Sequence, residues 1–497
     1  MKKIIVLIIS CVAIGGLLTA QTLNVQVGQV KYQFPAEQAG EMTYAEGTTL
    51  SIMNKVFTLA DVATMYVDES VVKDNTVAVV YNGQTAAITV AGNVAQYLTI
   101  TTTGAHVNIE QSSDLAEEIT YTLSGSSDDG ECYISGSYKA TVELNGLTLT
   151  NTNPVTSGAA VHIQNGKRIK VKVLEGTSNT LVDAANGSQK GALYVKGNPE
   201  FSGKGTLTVN GNVKHAIKSG EYITVKDATI KVQSAAGDGI NCGQYFLMKS
   251  GVLDISGVED DGIQCDIDDT EVGSTGETED HEDEDSGNIY LEGGQITINT
   301  AGIAAKGVKS EGDLIVKGGV IAELGGEDEN DAILLESHCD TLGAMVHMIK
   351  GDGRLKLTAV GGMRPENAEA ENCRIITKGG KIYEGTCQLI NASVHVNDDY
   401  GTKRTWDSVE VVIDEVVSSK DDVQKLGIRN GDYVCFETRT RITESGYIKS
   451  RFLDDKLSAA ILMGYGKYLK DNSISPKRKV YAHFTIFEEV GHGGSAS

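Results

Sequence analysis

His215-Ala216-Ile217-Lys218, Asp238-Gly239-Ile240-Asn241 and Asp261-Gly262-Ile263-Gln264 recur at an interval of 23 residues. The apolar positions between them keep the same step. Leu207, Ile230 and Leu253 form one file, Val209, Val232 and Ile255 another, and Ile223 and Val225 map onto Phe246 and Met248. Short β-type runs that repeat at such a period and turn at glycine mark a solenoid, whose coils cannot bury their inner faces alone and share one stacked core. Alternation within each run, as in Thr229-Ile230-Lys231-Val232, sends one side chain inward and the next outward.

After Asp261 the files resume at Ile289, Leu291, Ile296 and Ile298, displaced by 43 residues instead of 23. The difference is an acidic insertion over 266–286, with eleven Asp or Glu and no Lys or Arg, which should be solvated at a corner. Leu314 and Val316 answer Ile289 and Leu291, but Glu323 falls where Ile298 stood. A carboxylate in an inward file is costly unless paired, so the solenoid is expected to stop there and to span 119–318. Residues 21–118 carry strand-like runs such as Thr76–Val80 and read as an N-terminal β-rich region or cap of no assigned function. Cys242 and Cys265 fall on one file, where parallel register points both side chains alike, so they are expected as free thiols.

The formal net charge of −24 argues against a nucleic-acid partner, since phosphate binding needs clustered Lys and Arg. Lys2 and Lys3, the apolar run Ile4 to Leu18 and the small Ala20 read as a secretory signal over 1–20. The expected location is therefore the periplasm, cell surface or medium, with no stable membrane span once the leader is removed. None of the eight cysteines has C-x-x-C spacing, which makes a cysteine zinc site improbable.

The segment from about Ile119 to Gly318 resembles the secreted bacterial carbohydrate-binding β-helix family. The likeness rests on Ala140-Thr-Val-Glu-Leu-Asn-Gly-Leu-Thr-Leu-Thr-Asn151, Gly205-Thr-Leu-Thr-Val-Asn-Gly211 and the repeated Asp-Gly-Ile corners. It implies a right-handed, pectate-lyase-like parallel β-helix without lyase activity, with bound Ca²⁺ and affinity for polysaccharides. Asp238, Asp260 and Asp261 lie at corners of adjacent coils, where carboxylates and turn carbonyls could surround Ca²⁺; alternatively, each Asp caps its own glycine turn. Tyr194, Tyr222 and Tyr245 are expected to be exposed and able to stack on sugar rings. Lys218 is the single candidate base in the corner file.

From about Lys317 the chemistry changes. An apolar strand, Ala332 to Leu335, runs into Ser337-His338-Cys339-Asp340; Phe452-Leu453-Asp454-Asp455 and Phe484-Thr-Ile-Phe-Glu488-Glu489-Val-Gly491 follow in that order. A His-x-Asp, an Asp-Asp and a Glu-Glu-x-Gly, each next to an apolar strand, suit a site in which carboxylates and imidazole share metal ions and a further Glu takes a proton from water. This stretch resembles the glutamyl, or tetrahedral, aminopeptidase family. The resemblance implies an incomplete α/β domain over 319–497 with an inserted β-barrel at about 351–447. It also implies a Zn²⁺ or Co²⁺ pair. His338 would bind one metal, with Asp340 behind it; Asp454 would bridge both, Glu489 would bind the other, and Glu488 would be the general base. The family pattern needs a further Asp and His ligand after Glu489, and the chain ends at Ser497, so this segment is expected to be inactive alone.

The leading expectation is an exported polysaccharide-binding solenoid fused to an aminopeptidase segment of a cytoplasmic type. A zinc aminopeptidase and a purely structural surface solenoid are the alternatives. Lys317-Gly318-Gly319 suits both the end of a coil and the start of the aminopeptidase strand, as though two genes had been joined there.

Overall fold

The computed structural model describes residues 21–39, 42–45, 47–267, 286–316, 318–395, 397–398 and 400–491. The expected leader, and the acidic insertion over 268–285, lie outside them. The chain divides into two units, Met1–Lys317 and Gly318–Ser497.

The first unit is built from parallel ladders. From His215 onward each coil supplies three short strands, such as His215–Ser219, Ile223–Val225 and Thr229–Ala235, and the next coil repeats them at Ile240–Cys242, Phe246–Met248 and Val252–Val258. The register is the one the 23-residue step requires: Leu207 faces Ile230, Ile230 faces Leu253, and Ile223 faces Phe246. It also survives the insertion, because Phe246 pairs with Ile289 and Ile255 with Ile298. Each coil alone is a few short strands with an apolar inner face; stacking closes that face, and Leu207, Ile230, Phe246 and Ile255 are all fully buried. Cys242 and Cys265 sit directly opposite each other as free, buried thiols.

Residues 21–118 do not form a separate body. Thr76–Asn82 pairs in parallel with Ile119–Ser127, Ala105–Gln111 with Gly130–Ser135, and one hydrophobic core runs from Leu23 to Leu291. Antiparallel pairing is confined to this beginning, where Thr22–Val27 joins Val30–Pro35 and Val62–Asp68.

Tight corners limit what can stand in them. Gly203 has φ +91°, and a Cβ there would lie 2.2 Å from the Val173 carbonyl oxygen of the preceding coil. Gly203→Ala is expected to destabilise the first unit by about 2 kcal/mol or more, read as an earlier urea midpoint by far-UV circular dichroism.

The second unit holds a three-stranded sheet, with Arg478–Thr485 at its centre between Val320–Glu323 (antiparallel) and Asp328–His338 (parallel). The helix Lys456–Asp471 packs on it. Glu323 belongs to this sheet; it is exposed, and its carboxylate pairs with Lys479 at 3.2 Å, so no inward carboxylate is buried there. A closed six-stranded barrel runs from Gly343–Ile349 to Tyr433–Phe436. Its bounds differ from the expected 351–447 at both ends, because the closing pair Ala344–Val434 draws in Gly343–Ile349, while the residues after Phe436 form a separate two-stranded ribbon. Among the described residues no helix is long and apolar enough to cross a membrane.

Candidate metal centre and corner carboxylates

His338 and Thr485 are register partners at the carboxyl ends of two parallel strands. The chain leaving Thr485 turns at Phe487, with φ +71°, into the short turn Glu488–Val490, which brings two carboxylates beside the imidazole. Asp454 approaches from the start of the helix Lys456–Asp471. Open space beyond the carboxyl ends of parallel strands is where α/β sheets commonly hold ligands, since the loops there converge.

The resulting geometry is close. His338 Nε2 lies 3.3 Å from Asp454 Oδ1 and 3.7 Å from Glu488 Oε2. Its other nitrogen, Nδ1, faces the Asp340 carbonyl at 3.1 Å and the Asp340 carboxylate at 3.4 Å. The Asp340 carboxylate also accepts the backbone N–H of Glu488 at 3.3 Å and of Glu489 at 3.0 Å, so it ties the His338 strand end to the Glu-Glu turn. Potential donor atoms of His338, Glu488 and Glu489 all lie within 4.8 Å of one another. Burial alone would lower the His338 pKa, but the Asp340 carbonyl, the Asp340 carboxylate, Asp454 and Glu488 outweigh it and raise it. Burial raises the Glu489 pKa; His338 opposes this, while Glu488, Asp340 and Asp454 add to it. Carboxylates crowded around one imidazole resist further negative charge and favour a cation. One ring nitrogen with several carboxylate oxygens is a donor set that suits a first-row divalent ion such as Zn²⁺ or Co²⁺.

In the first unit, Asp238, Asp260 and Asp261 also converge, with carboxylate oxygens within 4.8 Å of one another. Two of them already have partners. Asp238 accepts the Asn241 amide at 2.9 Å and the Asp261 N–H at 3.1 Å, and its own N–H donates to His215 Nδ1 at 3.2 Å. Asp261 accepts the Lys306 N–H at 2.8 Å, with Lys309 Nζ 3.6 Å away. Burial would raise the Asp238 pKa, but His215, Asn241 and the Asp261 N–H hold it below the usual carboxylate range.

The same device recurs along the solenoid. Asp129 accepts the N–H groups of Thr152 and Asn153, Glu131 that of Gly158, and Asp183 that of Val213. Corner carboxylates thus satisfy backbone donors of the following coil, a use that the local Asp-Gly turn pattern did not reveal. Lys218 donates to Asn241 Oδ1 at 3.0 Å and lies outside the acidic trio.

The tyrosines differ from expectation. Tyr194, Tyr222 and Tyr245 are 5%, 3% and 1% exposed, so none offers a free ring face to sugar. Tyr222 stacks on Tyr245 with centroids 4.6 Å apart, and Tyr194 packs edge-on against His162. Alternation within the strand Gly191–Val195 turns Tyr194 away from the core, and Tyr222 and Tyr245 stand just before strands, but nothing local tells that neighbouring rings cover them.

A carbohydrate-binding domain-containing protein of Acetivibrio thermocellus is 26% identical over 124 residues, which is 23% of this chain and 42% of that protein. A solved polysaccharide lyase-like protein from C. thermocellum aligns over 48% of this chain and 96% of its own, at 21% identity and a TM-score of 0.38. YhfE, an aminopeptidase-type protein of Bacillus subtilis (strain 168), is 43% identical over 182 residues, 36% of this chain and 53% of its own length. The chain thus spans about half the length of the curated relatives it matches, and similarity to two kinds of protein supports a fusion. Residues 318–497 match the M42 glutamyl aminopeptidase family.

Proposed function

We propose that this chain is a two-part exported protein, whose second unit holds a divalent metal in an aminopeptidase-type site and whose first unit binds polysaccharide. The convergence of His338, Asp454, Glu488 and Glu489 within hydrogen-bonding or near-contact range carries the metal reading. In it His338, Asp454 and Glu489 are ligands, Glu488 is placed to take a proton from water, and Asp340 is a positioning residue. A divalent ion, when bound, supplies Lewis acidity and a more acidic water. Asp454 is 92% exposed at its side chain, so the site admits bulk water. Because catalysis by such a site gains from excluding water, metal binding is placed ahead of peptide hydrolysis and the unit alone is read as inactive.

Titration of the metal-free protein with Zn²⁺ or Co²⁺ by calorimetry tests this. His338→Ala is expected to abolish the tight site, and Asp340→Asn to weaken it about 10–100-fold. Affinity should climb as pH rises through the raised His338 pKa, since only the neutral ring can ligate. Absence of heat with either ion in the wild-type protein defeats the assignment. Hydrolysis of chromogenic aminoacyl substrates by the loaded protein defeats the inactive reading.

Similarity to the carbohydrate-binding protein supports the polysaccharide reading, and the Lys2–Ala20 leader supports export. Retention on insoluble polysaccharide tests it against a merely structural solenoid. Calcium at Asp238, Asp260 and Asp261 is the finer part of this proposal, supported by their clustered oxygens. Millimolar Ca²⁺ is expected to raise the melting temperature of the first unit, and Asp260→Asn to cancel the rise. Unchanged melting in Ca²⁺ leaves these carboxylates the single role of joining coils.

A further inference from the structure

Lys170, Lys172, Lys226 and Lys309, on the outside of the first unit, each face a carboxylate of another coil: Glu118, Glu143, Glu200 and Asp261. Lys218 faces an amide instead. Its Nζ lies 3.0 Å from Oδ1 of Asn241, its register partner in the next coil, and it makes no ion pair among the described residues.

The amide is pinned at its other end as well. Asn241 Nδ2 donates to Asp238 Oδ2 at 2.9 Å, and that carboxylate is itself held by the Asp261 N–H at 3.1 Å, with His215 Nδ1 also 3.1 Å away. A lysine ammonium can only donate and a carboxylate can only accept, so the amide cannot be turned over. Its oxygen faces the amine and its nitrogen faces the acid. Asn241 is 6% exposed and Asp238 1%, and Tyr194, the register neighbour of Lys218 in the preceding coil, is buried too. An amine, a primary amide and an acid on the amide nitrogen thus stand in a line with little room for water.

These are the groups that a transamidation needs. The carbon Cγ lies one carbonyl bond, about 1.2 Å, behind Oδ1, so a small swing of the flexible lysine brings Nζ against it. Reacting groups held in contact behave as though the nucleophile were present at about 10⁵ M or more. That advantage offsets the scarcity of unprotonated amine, because each chain has to react only once.

We propose that Lys218 and Asn241 become joined by an isopeptide bond that staples two neighbouring coils. The Nζ lone pair adds to Asn241 Cγ, the Cγ–Nδ2 bond breaks, and Nδ2 leaves as ammonia. Asp238, already touching Nδ2, carries to it the proton that Nζ gives up, while Oδ1 stays in the new amide. Nothing is oxidised or reduced, and no further reactant is consumed. The bond bridges a separation of 23 residues, from the strand His215–Ser219 to the strand Ile240–Cys242.

Tryptic mapping of the full chain, denatured before digestion, tests it. Trypsin does not cut after an acylated lysine, so the expected product is peptide 215–226 joined to peptide 232–249, about 17 Da lighter than their sum through loss of ammonia. Lys218→Arg keeps the charge but removes the nucleophile, and should give these segments only as separate peptides. Asp238→Asn still accepts from the amide but cannot carry the proton, and is expected to slow the linkage about 100-fold. Lys172→Arg, on the other sheet, should leave the joined peptide in place. Far-UV circular dichroism identifies a variant that has merely unfolded, and the wild-type and Lys218→Arg maps decide the matter if Asp238→Asn does not fold. Only separate peptides from wild-type protein kept folded for several days overturn the proposal. A joined peptide that persists in Lys218→Arg also overturns it, by placing the bond elsewhere. Linkage at the wild-type rate in a folded Asp238→Asn protein overturns the role given to Asp238.

Discussion

Phe246→Ala is expected to lower the stability of the first unit by about 3–5 kcal/mol. Phe246 is among the largest fully buried side chains, and it lies between Ile223 of the preceding coil and Ile289 of the following one. Parallel backbone ladders on both sides hold those neighbours at fixed spacing, so the void cannot collapse. In a stack whose units touch chiefly their neighbours, the weakened coil also loosens the two it contacts. The chain has one tryptophan, Trp406, and it packs against the barrel core of the second unit. Urea unfolding can therefore be followed with two probes that need not share one transition. Far-UV circular dichroism should show an earlier transition for the solenoid while Trp406 fluorescence keeps its wild-type midpoint. An unmoved dichroism curve would mean that the file is not packed as described.

The second large effect lies in the barrel. Glu410 is fully buried in the strand Val409–Ile413, held by Lys350 Nζ at 2.6 Å and by the Arg354 guanidinium. A buried carboxylate deprived of its cations loses their attraction but keeps its desolvation cost. Replacing both partners, Lys350→Met with Arg354→Met, is expected to destabilise the second unit by about 3–5 kcal/mol. The transition reported by Trp406 should move to lower urea, while the dichroism of the solenoid stays in place. Adding Glu410→Met should recover most of the loss, because an apolar trio of similar volume carries no unpaired charge. If the double variant unfolds like the wild type, Glu410 is hydrated and the burial described for it is wrong.

The parts of the fold legible in the sequence were those carried by repetition. Inward files such as Leu207, Ile230 and Leu253 announce their own register, because any other alignment would put a polar residue inside. Jumping from a step of 23 to one of 43 was equally readable, since the same file reappears at Ile296 and Ile298. Whatever depended on outer neighbours stayed hidden. Nothing in Tyr222 or Tyr245 alone tells that one ring covers the other. The barrel ends differ from the expected ones because closure between Ala344 and Val434 is a long-range pairing with no local mark. At the candidate metal centre, the residue types and their order were visible. The left-handed turn at Phe487 that presents Glu488 and Glu489 to the Asp340 carboxylate was not.

The pairing of Phe246 with Ile289 has a practical consequence. The cost of closing a longer connection between two fixed ends grows only slowly with length, about 0.6 kcal/mol per doubling, so coils that keep register across a step of 43 residues tolerate added chain there. The corner between Asp266 and Ser286 is therefore a natural graft point, where a foreign peptide or small domain whose own ends lie close together could be displayed while the coils on either side keep their alignment.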